Sequence, residues 1–178
     1  MVLADAREVH MPCPKLKDFL DRNEIKYELI HHPTTYTAQL TAASSHVRTD
    51  EMAKVVMVNR DGKLAMAVLP ASKRVDITAL HTASGAASMR LASELEFKQQ
   101  FPDCDAGAMP PFGNLYGMDV FVDEGVTKQA RIAFNAGSHD EVLRVAYEDF
   151  ACLVQPKVLR FATAVERAPR LRLDDRIW

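Results

Sequence analysis

The chain has 178 residues, of which 48% are hydrophobic, and a formal net charge of −2. That is enough apolar material for one domain with a real core, and it excludes a disordered chain. The near-neutral balance excludes a strongly basic nucleic-acid binder, and no apolar run approaches the length that crosses a bilayer.

Met1 to His10 carries Asp5, Arg7 and Glu8 and lacks the hydrophobic stretch of a signal peptide, so a cytoplasmic location is expected. Leu16, Phe19 and Leu20 recur at helical spacing, with Pro14 suited to a first turn, and predict a helix over 14–23. Lys26 to Ile30 reads as a strand closed by His31-His32-Pro33. Thr37 to His46 reads as a helix with Thr35 or Thr37 near its cap. Two apolar runs, Lys54 to Val58 and Leu64 to Leu69, flank Asp61-Gly62 and predict a hairpin that ends at Pro70. Helices are predicted over Val75 to His81 and Ala92 to Gln100, and strands over Met118 to Asp123 and Arg131 to Asn135. Asp140 to Ala146 suits a short strand, though its composition also allows a helix. Tyr147 to Val154 reads as a helix stopped before Pro156. Hairpins without regular βαβ alternation make the expected class α+β, with a mixed, largely antiparallel sheet and helices packed around it.

Two loops and one lysine carry the chemical signal. Gly107-Ala108-Met109-Pro110-Pro111-Phe112-Gly113 is permissive at its glycines and stiff at its prolines. Only Gly107, Ala108, Met109, Phe112 and Gly113 can offer main-chain donors there, an arrangement suited to holding a small polar group. A proline-rich surface turn is the plainer reading. The second loop, Asn135-Ala136-Gly137-Ser138-His139, places a histidine in a glycine turn between two predicted strands. Such a histidine is a solvated loop residue or, beside another small-residue loop, a ligand-positioning or proton-transfer group. Lys54 opens an apolar strand. It is either a snorkelling side chain or a cation at a pocket rim, able to bind phosphate or an oxyanion, or to act as a base if desolvated. Met109, Phe112 and Met57 are either pocket lining or core.

Cys13, Cys104 and Cys152 are odd in number, and no pair has metal-ligand spacing, which fits free thiols in a reducing compartment. Cys104, three residues before Gly107, reads as a buried inert thiol or as a group near the site. No metal or cofactor is expected.

Taken in order, these elements resemble the YbaK and prolyl-tRNA-synthetase-associated (ProX-like) aminoacyl-tRNA editing domains. The matching segments are His32-Pro33, Ala53-Lys54-Val55-Val56, Ala67-Val68-Leu69-Pro70-Ala71, Arg74-Val75-Asp76, Gly107-x-x-x-Pro111-x-Gly113 and Ala136-Gly137 before a polar residue. The resemblance implies hydrolysis of the ester joining a wrong, small amino acid to tRNA, without metal, and a partnership with the aminoacylated tRNA 3′ end and with a synthetase. It puts the activity-linked lysine on Lys54. Aminoacyl binding then falls on Gly107, Ala108, Met109, Pro110, Pro111, Phe112 and Gly113, and on Gly137, Ser138 and His139. Met109-Pro110-Pro111-Phe112 and Gly137-Ser138-His139 match neither the cysteine-specific nor the alanine-specific branch closely. The domain is expected over 1–156, with 157–178 as a basic C-terminal extension. The competing reading is a non-catalytic aminoacyl- or nucleotide-binding or synthetase-docking module, and a thiol-dependent enzyme using Cys104 is a third.

Overall fold

In chain order the elements are α1 (Pro14–Arg22), β1 (Tyr27–His31), α2 (Ala38–Ser44), β2 (Ala53–Arg60), β3 (Lys63–Pro70), β4 (Lys73–Val75), α3 (Ile77–Ser84), β5 (Met89–Leu91), α4 (Glu94–Phe97), β6 (Asp119–Asp123), α5 (Glu124–Thr127), β7 (Arg131–Asn135), β8 (Glu141–Ala146), α6 (Tyr147–Val154), β9 (Lys157–Leu159) and β10 (Ala162–Ala164). They come from a computed structural model that describes residues 13–165. Among those residues, no helix is long and apolar enough to cross a membrane.

The β2–β3 hairpin is the spine. Asp61 and Gly62 both take positive φ, 52° and 83°, the backbone of a two-residue turn that matches strand twist. Gly62 N–H donates to Asn59 Oδ1 at 3.0 Å and holds the turn. Around the hairpin a five-stranded sheet forms in the order β5-β2-β3-β6-β9, antiparallel at β5-β2-β3 and parallel at β3-β6-β9. A three-stranded antiparallel sheet, β1-β8-β7, and a two-stranded pair, β10-β4, complete the strands. The class is α+β, mixed and mostly antiparallel.

Alternation along β2 splits the interior. Ala53 and Met57 face a large cluster with Leu16 and Leu20 of α1, Phe134 of β7 and Phe150 of α6. Val58, with Val56 beside it, faces Leu80 of α3, Phe121 and Phe161. A third cluster sets Ala42 of α2 over Met52, Ala71, Ala133 and Val142.

Two expectations need correction. Val75 ends β4 rather than opening a helix. The helix begins after Asp76, whose carboxylate accepts Ala79 N–H at 2.9 Å as its N-cap. Residues 157–164, expected to lie in an appendage, pair with the body of the fold, β9 extending the five-stranded sheet beside β6 and β10 pairing with β4, with Phe161 1% exposed between them. Arg167, Arg170, Arg172 and Arg176 of the basic tail lie outside the described residues.

Candidate active site

The two loops meet through their backbones. Gly137 N–H donates to Ala108 O at 3.0 Å, and Asp105 N–H donates to Gly137 O at 2.8 Å. Gly137 holds φ at +108°, a region that residues with a Cβ rarely adopt. The His139 ring reaches the same junction. Its Nε2 lies 2.9 Å from Ala106 O, which accepts the Nε2–H. Its Nδ1 is buried and finds no hydrogen-bond partner among the described residues, and the same holds for Ser138 Oγ. The Tyr36 ring, 78% exposed, packs on His139 with centroids 5.0 Å apart. Thr34, Tyr36, Asp105, Ser138, His139 and Asp140 line a depression of about 200 Å³ here.

The proline loop works mainly as an anchor. Phe112 is fully buried and packs edge-on or tilted against Phe134 and Phe150, with centroids 5.6 and 5.4 Å away. Its own N–H turns back to Pro110 O at 2.8 Å, and Ala108 N–H bonds Asp105 O at 3.0 Å. Two of the five expected main-chain donors are therefore used within the loop. Met57 and Phe112 are core residues. Met109 is also buried, yet with Phe97, Phe101, Cys104 and Ala106 it lines a second cavity of about 160 Å³.

Lys54 lines neither cavity. Met52 and Ala133 form a parallel bridge that joins the two larger sheets, and Ala133 N–H donates to Glu51 O at 2.9 Å. Both residues lie in the cluster beneath α2. One residue further along, Ala53 and Phe134 face the opposite cluster. By alternation from that bridge, Lys54 falls on the same face of its strand as Met52, and Asn135 on the same face of its strand as Ala133. Burial is the cause that lowers the Lys54 pKa, and no carboxylate contributes. Asn135 Oδ1 is buried without a hydrogen-bond partner among the described residues. Asn135 is a site candidate that residue patterns alone did not single out. The available signal was an amide closing the apolar run Ile132-Ala133-Phe134, a position that strand preferences disfavour.

The end of β7 thus has Lys54 and Asn135 on one side, the Gly107–Gly113 loop bonded to Gly137, and Ser138 and His139 beyond. α2 and the turn before it bridge these regions, with Thr35 N–H bound to His139 O at 3.0 Å and Ala42 of α2 packed over Met52 and Ala133. Among the described residues, no group of three or more His, Cys, Asp or Glu side chains is placed to hold a metal ion.

A family model described as an aminoacyl-tRNA editing domain matches residues 32–153. The backbone is similar to that of a hypothetical protein, APE2540 (20% identity, TM-score 0.75, 84% of this chain and 99% of that one). It is also similar to a proposed trans-editing enzyme for prolyl-tRNA synthetase (15% identity, TM-score 0.74, 86% and 98%). A proposed signal-transduction protein of Marinobacter aquaeolei contains the same fold in 30% of its length, at 20% identity and a TM-score of 0.67 over 84% of this chain. At these identities the structures show a shared fold. No curated protein matches the sequence.

Proposed function

The chain belongs to the aminoacyl-tRNA editing domain family, and from that membership we propose that it is an aminoacyl-tRNA deacylase acting on tRNA mischarged with a small amino acid. The observation that carries this reading is Lys54. It is an ammonium partly withdrawn from water, with no carboxylate acting on it, two residues past the Met52–Ala133 bridge that leads along β7 to the buried amide of Asn135 and the Gly137 turn. A cation without an internal counter-charge is suited to an anion supplied from outside. The terminal phosphate of the tRNA and the oxyanion formed at the ester carbonyl both meet that description.

In this reading the esterified 3′-terminal adenosine enters at the end of β7. Lys54 stabilises negative charge, and Asn135 fixes the polar atoms beside it. Gly137, Ser138 and His139, braced by the Gly107–Gly113 loop, hold the aminoacyl end. Water attacks the carbonyl carbon, the ester bond breaks, and the ribose oxygen leaves with a proton from that water, releasing the free amino acid. One well-placed oxyanion donor supplies about 3 kcal/mol, so no nucleophilic side chain is required. The depression of about 200 Å³ beside Ser138 and His139 favours a small aminoacyl group, since ordinary ligand pockets span roughly 300–1,000 Å³. Size-selective hydrolysis is chemically useful because one methylene gives a synthetase only about 1–3 kcal/mol of discrimination.

The test is a panel of mischarged tRNAs incubated with the protein while ester loss is followed. A small amino acid should be released faster than in buffer. Lys54→Ala and Asn135→Ala should each lower that rate about tenfold or more, as loss of a transition-state contact does, while the fold stays intact by circular dichroism. No accelerated release across the panel, with tRNA still bound, would leave a non-catalytic binding module.

A further inference from the structure

Beneath the Gly137 turn two sulfur atoms come together that the chemistry above does not use. Cys13 stands at the N-cap of α1, 1% exposed, and its N–H donates to Ala136 O at 2.7 Å. Cys104 arrives from the opposite direction, three residues before Gly107, and lines the cavity of about 160 Å³. A Cβ placed on Gly137 would lie 3.1 Å from Cys13 Cβ and 3.5 Å from Cys104 Sγ. The two thiols act on one another electrostatically, and Tyr116 OH lies 3.4 Å from Cys13 Sγ.

We propose that Cys13 and Cys104 form a reversible disulfide that couples oxidation by small hydroperoxides to the geometry of the site's loop junction. Both side chains border the same face of Gly137, and Cys104 faces a cavity that admits a molecule the size of hydrogen peroxide. The pair also holds a reactive proton arrangement. The Cys104 thiol, then the Tyr116 hydroxyl and the Leu16 and Lys15 amides at the start of α1, pull the Cys13 pKa down to about 5 against the opposing effect of burial. Cys104 is pushed up by the neighbouring Cys13 sulfur. One proton is therefore shared between a thiolate and a thiol.

Cys104 sulfur attacks one peroxide oxygen while its proton passes to Cys13. The O–O bond breaks, hydroxide departs, and Cys104 becomes a sulfenic acid. Cys13 sulfur then attacks Cys104 sulfur and its proton joins the leaving hydroxyl. The S–O bond breaks, the S–S bond forms, and water is released. The hydroxide takes a proton from solvent. In total two electrons leave the sulfur pair and one peroxide becomes two waters. An external dithiol reverses the reaction by exchange.

Closing the bond draws Cys104 toward Cys13 across the face of Gly137. The Gly137 N–H to Ala108 bond and the Asp105 N–H to Gly137 bond then shift with it. This regulatory half rests on the proposed function, whereas disulfide formation does not.

The experiment treats the full-length protein with hydrogen peroxide, alkylates the remaining thiols and maps the peptides by mass spectrometry. Expected are a linked Cys13–Cys104 peptide pair and an alkylated, exposed Cys152, with the link lost on reduction by dithiothreitol. Deacylation should fall roughly tenfold on oxidation, since small misplacements of positioning groups cost that much or more. It should recover with dithiothreitol and resist peroxide in Cys104→Ser. Should Cys13→Ser fail to fold, Cys104→Ser and the peptide map still decide. A Cys13 that stays alkylatable, or oxidation of Cys104 to sulfinic acid without a link, overturns the disulfide. A mapped disulfide with an unchanged rate in an enzyme shown to deacylate overturns the coupling.

Discussion

Lys54 is held at a cost to stability. Its ordinary pKa is near 10.5 and burial lowers it in the fold. Below the lowered value the amine is charged in both states, and the folded state bears the desolvation. As pH rises through the lowered value toward 10.5 the folded protein sheds the proton first, and stability rises across that window. Lys54→Met should therefore raise Tm at pH 7, by an amount on the order of 2 °C. The gain should shrink as the scan is repeated toward pH 10.5. A Tm that falls at pH 7 would mark the lysine stem as a packing element. Lys54, Gly107, Gly137 and His139 were all visible in the residue pattern, because each is chemically unusual where it stands. Asn135 was not, because its significance depends on which strand lies beside it. Phe112 and Met57 left two readings open, and burial resolved them, since aromatic and sulfur-bearing side chains serve equally as pocket wall and as core.

At the level of elements, local signals were strongest where backbone geometry is demanding. Asp61-Gly62 marked the hairpin because a tight two-residue turn needs positive φ at both positions. Pro14 and Thr37 marked helix starts, the latter accepting Leu40 N–H at 3.2 Å. β8 was ambiguous in sequence. It is a strand because it lies between β1 and β7 with Val142 against one cluster and Leu143 and Val145 against another, and burial on both faces erases the alternation that identifies a strand. The short strands β4, β5, β9 and β10 carried no periodic signal at three residues each. One side chain ties the last two into place. Asp123, 2% exposed, caps α5 through Gly125 N–H at 2.9 Å. Its other oxygen accepts Phe161 N–H at 2.9 Å and Ala162 N–H at 2.8 Å. Asp123→Ala should cost about 3 kcal/mol or more, because buried donors lose a charged acceptor. Urea unfolding should show a lower midpoint at an unchanged slope, and an unmoved midpoint would refute the tie.

For the whole molecule, packing continues past the expected domain boundary at 156. Removal of 157–178 takes away Phe161, a strand paired to β6 and another paired to β4. It should lower Tm by roughly 10 °C or more. Removal of 166–178 alone spares those contacts, and it is the deletion that tests whether the tail arginines touch tRNA phosphate. Affinity should then drop in low salt and the salt dependence should flatten, while unchanged affinity would separate the tail from tRNA binding. The amino-acid sequence by itself determined the α+β class, the principal hairpin, most of the longer elements, the two loops and the lysine, since these follow from periodicity, turn chemistry and residue type within a few positions of one another. Tertiary structure alone decided that the strand of Lys54 is bridged to that of Asn135, that Gly137 is bonded to Ala108, that Cys13 and Cys104 both border Gly137, and that residues 157–164 pair with β6 and β4. Each of these joins residues far apart along the chain, and such contacts are specified by the packing of apolar faces and by strand register.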